Sequence, residues 1–468
     1  MQKRRLSSRD PDLAGLDVLI VGAGQSGLAA ARLAVGKGAR VTLCDRLIEA
    51  RIAATNLEEA RRLGLVVRTG GHPPELADEA DLLIVSPGVP PGIELLSRAR
   101  ELDLPVWGEI ELAARFCRGR VTAITGSNGK STVTTMIGGI LRGAGVAGGT
   151  GGNLDRPFAD LLGEDSPQAR HALELSSFQL ETVQTLRPDV AVLLNLSPDH
   201  LDRYASFEEY ARAKLRLLEL QDAEGYAVVN ADDRESDRAR VAVRGRLHLF
   251  STRDEVASGA FLRRDRLTLR TEHGEDELLA ADELPLLGEH NVANALAAAL
   301  ACRLGGCSPE EISRGLRGYR ALPHRLQLVG GVQGVLFYND SKATNPASVA
   351  CALTAFRPGS IHLILGGRDK GSDWDALVPL IRSHVRRVLL VGEAAAALAD
   401  VLSGVAPLEA CGTVPRAVGV GIDGASSGDV VLLSPGCASF DQYRNFEERG
   451  DDFQRAVRSL PDRGDVVG

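Results

Sequence analysis

Short apolar runs, each broken by a glycine-rich or polar turn and followed by an alanine- and leucine-rich stretch of helical period, recur along most of the chain. This alternation predicts buried parallel strands joined by crossover helices, an α/β fold. The first set has strands at 17–21, 40–44 and 82–85, with a helix running from the glycine turn to Gly36. After a helix at 109–116, a second set has strands at 121–124, 171–175 and 190–194. Between them lies a helix from Lys130, and after them one from 207 to 220, opened by Ser206 and Glu209 at capping-box spacing. The glycine run 148–152 before Asn153 is too dense for helix or strand and reads as a loop. Residues 234–284 are charged and weakly patterned, as for peripheral β-structure. An alanine-rich helix to Leu304 and a short one at 310–316 close the set; strands at 335–338, 361–365, 388–391 and 430–433 then alternate with helices.

These sets predict three domains, as a length of 468 residues also suggests. They are a Rossmann-like domain over 17–108, a central parallel-sheet domain with a phosphate loop over 109–322, and a second Rossmann-like α/β domain over 323–468. Residues 1–16 are charged and turn-rich and are expected to lie outside any core.

Composition narrows the function. A net charge of −8 argues against nucleic acid or an anionic membrane as partner, so an anionic substrate must be held by locally placed cations and N–H groups. No apolar run is long enough to span a membrane, and Lys3, Arg4 and Arg5 lead into polar residues, not a signal core. Seven cysteines without a Cys-x-x-Cys pair fit a reducing compartment, so the cytoplasm is expected; Cys302 and Cys307 read as packing residues.

The chemistry gathers around Gly126-Ser127-Asn128-Gly129-Lys130-Ser131-Thr132, a turn between an apolar strand and a helix. Such a turn points backbone N–H groups and the helix dipole at phosphate oxygens; Lys130 can reach the β- and γ-phosphates, and the Ser131 or Thr132 hydroxyl can hold Mg²⁺. Ile124 stands where the standard phosphate loop begins with glycine, so the loop is a variant.

Gly22-Ala23-Gly24-Gln25-Ser26-Gly27, with Asp45 ending the next strand, offers a second phosphate-binding turn. It fits a dinucleotide fingerprint, yet no nicotinamide chemistry follows, and a different diphosphate is the preferred ligand.

Glu174 and His200 fall at strand carboxyl ends, where open α/β sheets bind ligands. Lys214 lies on the same helix stripe as Phe207 and Ala211; alone it would read as a snorkelling lysine, and neighbouring Glu174 and His200 favour a site. Asn291 and Asn294 share one helical face and could cap that helix or read an adenine edge. Three polar clusters follow strands of the last domain: 339–345, 366–371 and 434–441.

In this order the motifs resemble the Mur ligase family of peptidoglycan synthesis over nearly the whole chain after residue 16, and within it the D-glutamate-adding branch, whose signature is the run from Ser434 to Gly450. The departures are Asp155, where glycine usually follows the Gly-Asn run, and Trp374, where a smaller aromatic is usual. The resemblance implies ATP-dependent addition of D-glutamate to UDP-N-acetylmuramoyl-L-alanine through an acyl phosphate. It also implies the nucleotide-sugar in the first domain, ATP in the second and the amino acid in the third.

By the same resemblance Gly24, Gln25, Ser26, Asp45, Arg46, Ser86, Gly88, Asn153 and His200 would hold the UDP substrate. ATP would be held by the phosphate loop, Asn291, Asn294, Arg325 and Asp340, and D-glutamate by Lys342, Thr344, Lys370, Ser439 and Phe446. Lys130, Glu174, His200 and Lys214 would be catalytic; Ser131 and Glu174 would hold one Mg²⁺, and His200 and Lys214 a second, with the lysine converted by CO₂ to a carbamate. The expected partners are small molecules only, and a monomer is expected. The alternatives are another amino-acid ligase of folylpolyglutamate type, a nucleotide-binding regulator without turnover, and an NAD-dependent oxidoreductase.

Overall fold

The apolar runs become the strands of three sheets, in a computed structural model that describes residues 6, 11–154, 156–200, 203–272 and 274–461. In the first sheet the strands lie in the order Val66–Thr69, Arg40–Asp45, Asp17–Val21, Leu82–Val85, Val106–Gly108, all parallel. Sequence order reverses between Asp17–Val21 and Leu82–Val85, which places a ligand crevice beyond Val21 and Val85.

The second sheet has nine strands. Arg120–Thr125 lies third from the edge formed by Thr150–Gly152, between Arg170–Glu174 and Val190–Leu193 and parallel to both. Strands Arg246–Ser251, Gly259–Arg263, Arg266–Thr271 and Gly274–Ala280 extend one edge and finish in antiparallel pairs, the peripheral β-structure expected from the charged segment. In the third sheet Val335–Asn339, Val430–Gly436 and Ile361–Gly366 are parallel neighbours, so the three polar clusters emerge side by side. Among the described residues no helix is long and apolar enough to cross a membrane.

Three expectations need correction. Leu6, Leu13 and Leu16 are buried in the core of the first domain, and Arg115 Nη1 donates to the Leu6 carbonyl at 2.7 Å, so residues 1–16 do contribute to a core. The charged residues around these leucines hid their pattern; residues 1–5 and 7–10 of that stretch lie outside the described residues. The glycine run is not wholly a loop, because Thr150–Gly152 pairs in parallel with Arg170–Glu174. Its glycines answer to crowding: a Cβ on Gly148 would stand 2.0 Å from the Arg170 oxygen, and one on Gly152 2.3 Å from the Glu174 oxygen. The capping box at Ser206 is half made. Ser206 Oγ accepts from Glu209 N at 3.3 Å, but the Glu209 carboxylate accepts from Ala205 N, and the helix is Phe207–Glu219.

Candidate active site

Three adjacent strand ends build the centre of the site: Thr125 runs into the phosphate loop, Glu174 ends its own strand, and Leu193 leads to Asn195 and His200. The loop turns at Gly126, φ 153°, and Gly129, φ 85°, before helix Lys130–Gly143. A Cβ on Gly129 would lie 2.5 Å from Asn294 Oδ1. Ile124 is fully buried in the strand, so the turn rests on the two later glycines. Asn195 clasps the loop from below: its Oδ1 accepts from Asn128 N at 2.8 Å and its Nδ2 donates to Asn128 O at 3.1 Å. Ser127 Oγ donates to Ser197 O and lies 3.0 Å from the Tyr210 hydroxyl; Thr132 is buried in the first turn of the helix.

Lys130 folds back across the loop, its Nζ donating to Gly126 O at 2.8 Å and Ser127 O at 2.9 Å. Lys214 is 2% exposed and donates to the same Gly126 oxygen at 2.8 Å. The snorkelling alternative is therefore excluded. Burial, and then the neighbouring Lys130 ammonium, hold the Lys214 amine well below its ordinary pKa, against the opposing pull of Asp199 and Glu174.

Glu174 is 3% exposed. Its Oε1 accepts from Asn153 Nδ2 at 2.9 Å, while Oε2 is buried with no hydrogen-bond partner. Burial alone would raise its pKa; Lys130, Asn153, Ser131 and Arg325 outweigh that and lower it, so the group is an anion. A buried anionic oxygen without a donor, beside the Ser131 hydroxyl, suits a hard cation with oxygen preference, so Ser131 and Glu174 fit Mg²⁺. Ser131 Oγ accepts from Arg325 Nη2 at 2.7 Å, and that arginine comes from the start of the third domain.

Arg325 is held by its neighbours. His324 and Leu326 both adopt left-handed backbone, φ 61° and 41°, a strained choice for such side chains. His324 is fixed by Asn339, whose Nδ2 lies 2.9 Å from its Nδ1, and by Gly450, where a Cβ would stand 2.1 Å from the ring. Buried Arg449 donates to Ser341 Oγ, Ser341 O and Cys437 O, tying the 339–345 and 434–441 clusters together.

One cavity of about 610 Å³ joins these groups, with Lys130, Glu174, His200, Asn291, Arg325 and Lys342 among its walls. Asn153, Asn294, Asp340 and Thr344 line it too. Asn291 Nδ2 donates to Leu287 O at 2.7 Å, and Asn294 Nδ2 to Asn291 Oδ1 at 3.2 Å, so the pair is held in place but not free of partners. Asp340 is buried, accepts from Ser434 Oγ and Leu326 N, and is pushed up to about 7 by burial. His200 adopts φ 54°, and its ring packs edge-on to Phe178 at 4.9 Å.

The amino-acid residues divide. Lys342 and Thr344 line the cavity, and Lys342 Nζ sits 3.7 Å from the centre of the Phe446 ring. Lys370 and Ser439 are not among the cavity walls; their loops are joined by the Arg368–Ala438 backbone pair.

The first-domain residues form a separate group. Gly24 and Gln25 are exposed at the start of helix Gln25–Gly36, with Ser26 half-buried beside them and Arg46 and Gly88 exposed. The Asp45 carboxylate accepts from Ala23 N and Leu47 N, both at 2.8 Å, and so holds the glycine turn itself. Ser86 lines a second cavity of about 250 Å³ that shares Phe178 with the main one. Asn153 and His200 are not in this group; the structure places them with the phosphate loop.

Asn195, Tyr210 and Asp199 were assigned no role from the sequence. Asn195 and Asp199 stand in the run that ends at His200, and Tyr210 lies one helical turn before Lys214, the only signal available.

Family profiles match three parts of the chain: a Mur ligase MurD-like N-terminal domain over residues 16–108, a Mur ligase middle domain over 124–302, and a Mur ligase glutamate ligase domain over 324–437. Curated relatives named UDP-N-acetylmuramoylalanine–D-glutamate ligase include one from Acidobacterium capsulatum, 44% identical with 95% of this chain and 97% of its own covered. Another, from Koribacter versatilis, is 41% identical, with 97% and 99% covered. Among solved structures, a pseudomurein peptide ligase type C from Methanothermus fervidus aligns with a TM-score of 0.62 at 17% identity, covering 95% and 99% of the two chains. MurF from Acinetobacter baumannii aligns with 0.60 at 19%, covering 94% and 93%. At those identities the structures speak for the fold alone.

Proposed function

The chain belongs to the Mur ligase family, and from that premise we propose that it is the D-glutamate-adding ligase, joining D-glutamate to UDP-N-acetylmuramoyl-L-alanine with hydrolysis of ATP. The observation that carries the reading at the site is the unpartnered, buried Glu174 Oε2 beside Ser131, in a cavity that continues to Lys342 and Thr344.

Residues 17–108 would bind the UDP end, 109–322 ATP and 323–468 the amino acid. The exposed start of helix Gln25–Gly36 offers N–H groups for the diphosphate. The substrate's alanine carboxylate attacks the γ-phosphorus of ATP, releasing ADP and forming an acyl phosphate. The neutral amine of D-glutamate then attacks the acyl carbon, phosphate leaves, and the amine proton goes to solvent or a site base. Lys130 and Arg325 neutralise the phosphates, Asn291 and Asn294 hold the adenine, and closure of the walls excludes water from the acyl phosphate. Magnesium on Ser131 and Glu174 would supply further charge neutralisation. His200 and a carbamate on Lys214 would offer oxygen and nitrogen for a second ion, and the depressed lysine pKa supports this, since only a neutral amine adds CO₂. The expected setting is the cytoplasm, as a monomer.

The test is phosphate release from ATP with UDP-N-acetylmuramoyl-L-alanine and each glutamate enantiomer. Turnover with D-glutamate and little with L-glutamate, glutamine, alanine or diaminopimelate is expected; comparable rates with diaminopimelate or L-alanine would move the chain to a sister activity.

The pocket also sets a pH dependence. Burial, then Arg325, lowers Lys342 to about 8, so its ammonium is present below that pH and lost above it. The KM for D-glutamate should therefore rise as pH passes about 8, while the KM for ATP rises less. In Lys342→Arg the rise should move to higher pH; an unchanged profile in that variant would remove Lys342 from carboxylate recognition.

A further inference from the structure

Besides the Arg325–Ser131 contact, the phosphate loop touches the third domain through Asn128, on two residues, Asn345 and Ser348, to which no substrate contact is assigned. Asn128, whose backbone Asn195 clasps, turns its side-chain oxygen toward helix Pro346–Leu353. There Ser348 Oγ lies 2.8 Å from Asn128 Oδ1, and Asn345 Nδ2 lies 3.4 Å from the same oxygen. Asn345 Nδ2 also donates to Asp199 Oδ2 at 3.2 Å, and Asp199 Oδ1 accepts from His200 N at 2.9 Å. One helix N-terminus thus bridges the loop that carries Lys130 and the turn that carries His200.

The same helix begins next to the amino-acid side. Asn345 caps it, its Oδ1 accepting from Ser348 N at 2.9 Å, and Thr344 and Lys342 stand immediately before it in the chain. Anything that fixes Lys342 and Thr344 therefore acts within three residues of the bridge. In the other direction, Asn128 is adjacent to Gly129 and Lys130.

We infer that Asn345 and Ser348 are positioning residues that hold the amino-acid pocket in register with the phosphate loop, so that the D-glutamate amine meets the acyl phosphate instead of water. This rests on the ligase reading above. Neither residue need touch a substrate: their donors end on Asn128 and Asp199. The contacts are few and polar, as suits a joint that closes and opens between rigid domains. Loss of the bridge should leave the phosphate loop able to bind ATP and make acyl phosphate, with the amine then presented less often.

The experiment compares wild type with Asn345→Asp, Ser348→Ala and Ser348→Thr, reading substrate KM values and the ratio of phosphate released to ligated product. Asn345→Asp keeps the capping oxygen but loses the donor and sets a carboxylate against Asp199, so helix folding is spared. Ser348→Ala removes one donor, and Ser348→Thr restores it. For Asn345→Asp the KM for D-glutamate should rise about ten-fold, the scale of two lost hydrogen bonds. The ratio should rise above one as the acyl phosphate is hydrolysed, and the KM values for ATP and the UDP substrate should stay within about two-fold. Ser348→Ala should show a smaller effect of the same kind, cancelled in Ser348→Thr. An active wild type with an unchanged KM and ratio in Asn345→Asp overturns the inference alone. Equal rises in all three KM values overturn it in favour of a merely structural contact. Absence of phosphate release in the wild type overturns the ligase reading, and the inference falls with it.

Discussion

Lys130→Ala should lose at least about 10²-fold in turnover while keeping its fold, the scale seen when one preorganised donor to a developing oxyanion is removed. The ammonium closes the phosphate loop, donating to Gly126 O and Ser127 O, and burial holds its pKa below the ordinary value while Glu174 and Asp199 pull the other way. As phosphoryl transfer proceeds, charge builds on the γ-phosphate oxygens, and a cation already desolvated beside them is worth most at that moment. Its removal has a second effect: Lys130 is the leading influence that keeps the Glu174 carboxyl low against burial, so the alanine variant weakens the proposed Mg²⁺ site as well. Folding is spared because Gly126 O keeps Lys214 as donor and the loop backbone stays clasped by Asn195. The measurement is ATP-dependent phosphate release at saturating substrates, alongside a thermal melt and calorimetric binding of ADP. A variant that melts like wild type and turns over normally would remove Lys130 from the chemistry.

Much of this site was legible in the sequence because its parts sit at strand ends. Apolar runs give strands, open parallel sheets bind at carboxyl ends, and so Glu174, His200 and the phosphate loop could be grouped before any coordinates. Lys214 was harder, since an amphipathic helix offers the same stripe to a snorkelling lysine; its burial at 2% is decided by which helix face the sheet covers. The bridge from Asn345 and Ser348 to Asn128 was not legible at all. Asn345 sits 217 residues from Asn128 in the chain, and no periodicity registers how one domain closes on another. The tail was misread for a simpler reason: Leu6, Leu13 and Leu16 are spaced among charges, and a few leucines in a charged stretch give no period to detect. The glycine run erred the other way. Dense glycine signals close approach, and here the approaching backbone is the next strand, so the segment is both strand and tight contact.

Lys214→Ala should be nearly inactive, by about 10²-fold or more, and still fold, and the reason lies in the sign of one charge. Lys214 and Lys130 direct two Nζ atoms at the single oxygen of Gly126, each at 2.8 Å, inside the protein. That arrangement is costly if both are charged, and burial together with Lys130 drives Lys214 toward the neutral amine. A neutral amine can add CO₂ and release a proton; the proposed carbamate would put an anion where a repelled cation stood, would pair with Lys130 and would offer oxygens to a divalent ion. An ammonium would do the reverse on each count. Removing the buried lysine leaves a polar hollow beside Gly126, whose oxygen keeps Lys130 as donor, so the stability change should be small. Acetate or another short carboxylate, entering that hollow, should restore part of the activity. The measurement is turnover of wild type and Lys214→Ala in CO₂-depleted buffer, with and without bicarbonate or acetate. Bicarbonate should raise the wild type only, and acetate the alanine variant. Full activity of Lys214→Ala without additive would leave the lysine a packing residue under the phosphate loop, and acetate that fails to raise the variant while bicarbonate fails to raise wild type would dismiss the carbamate.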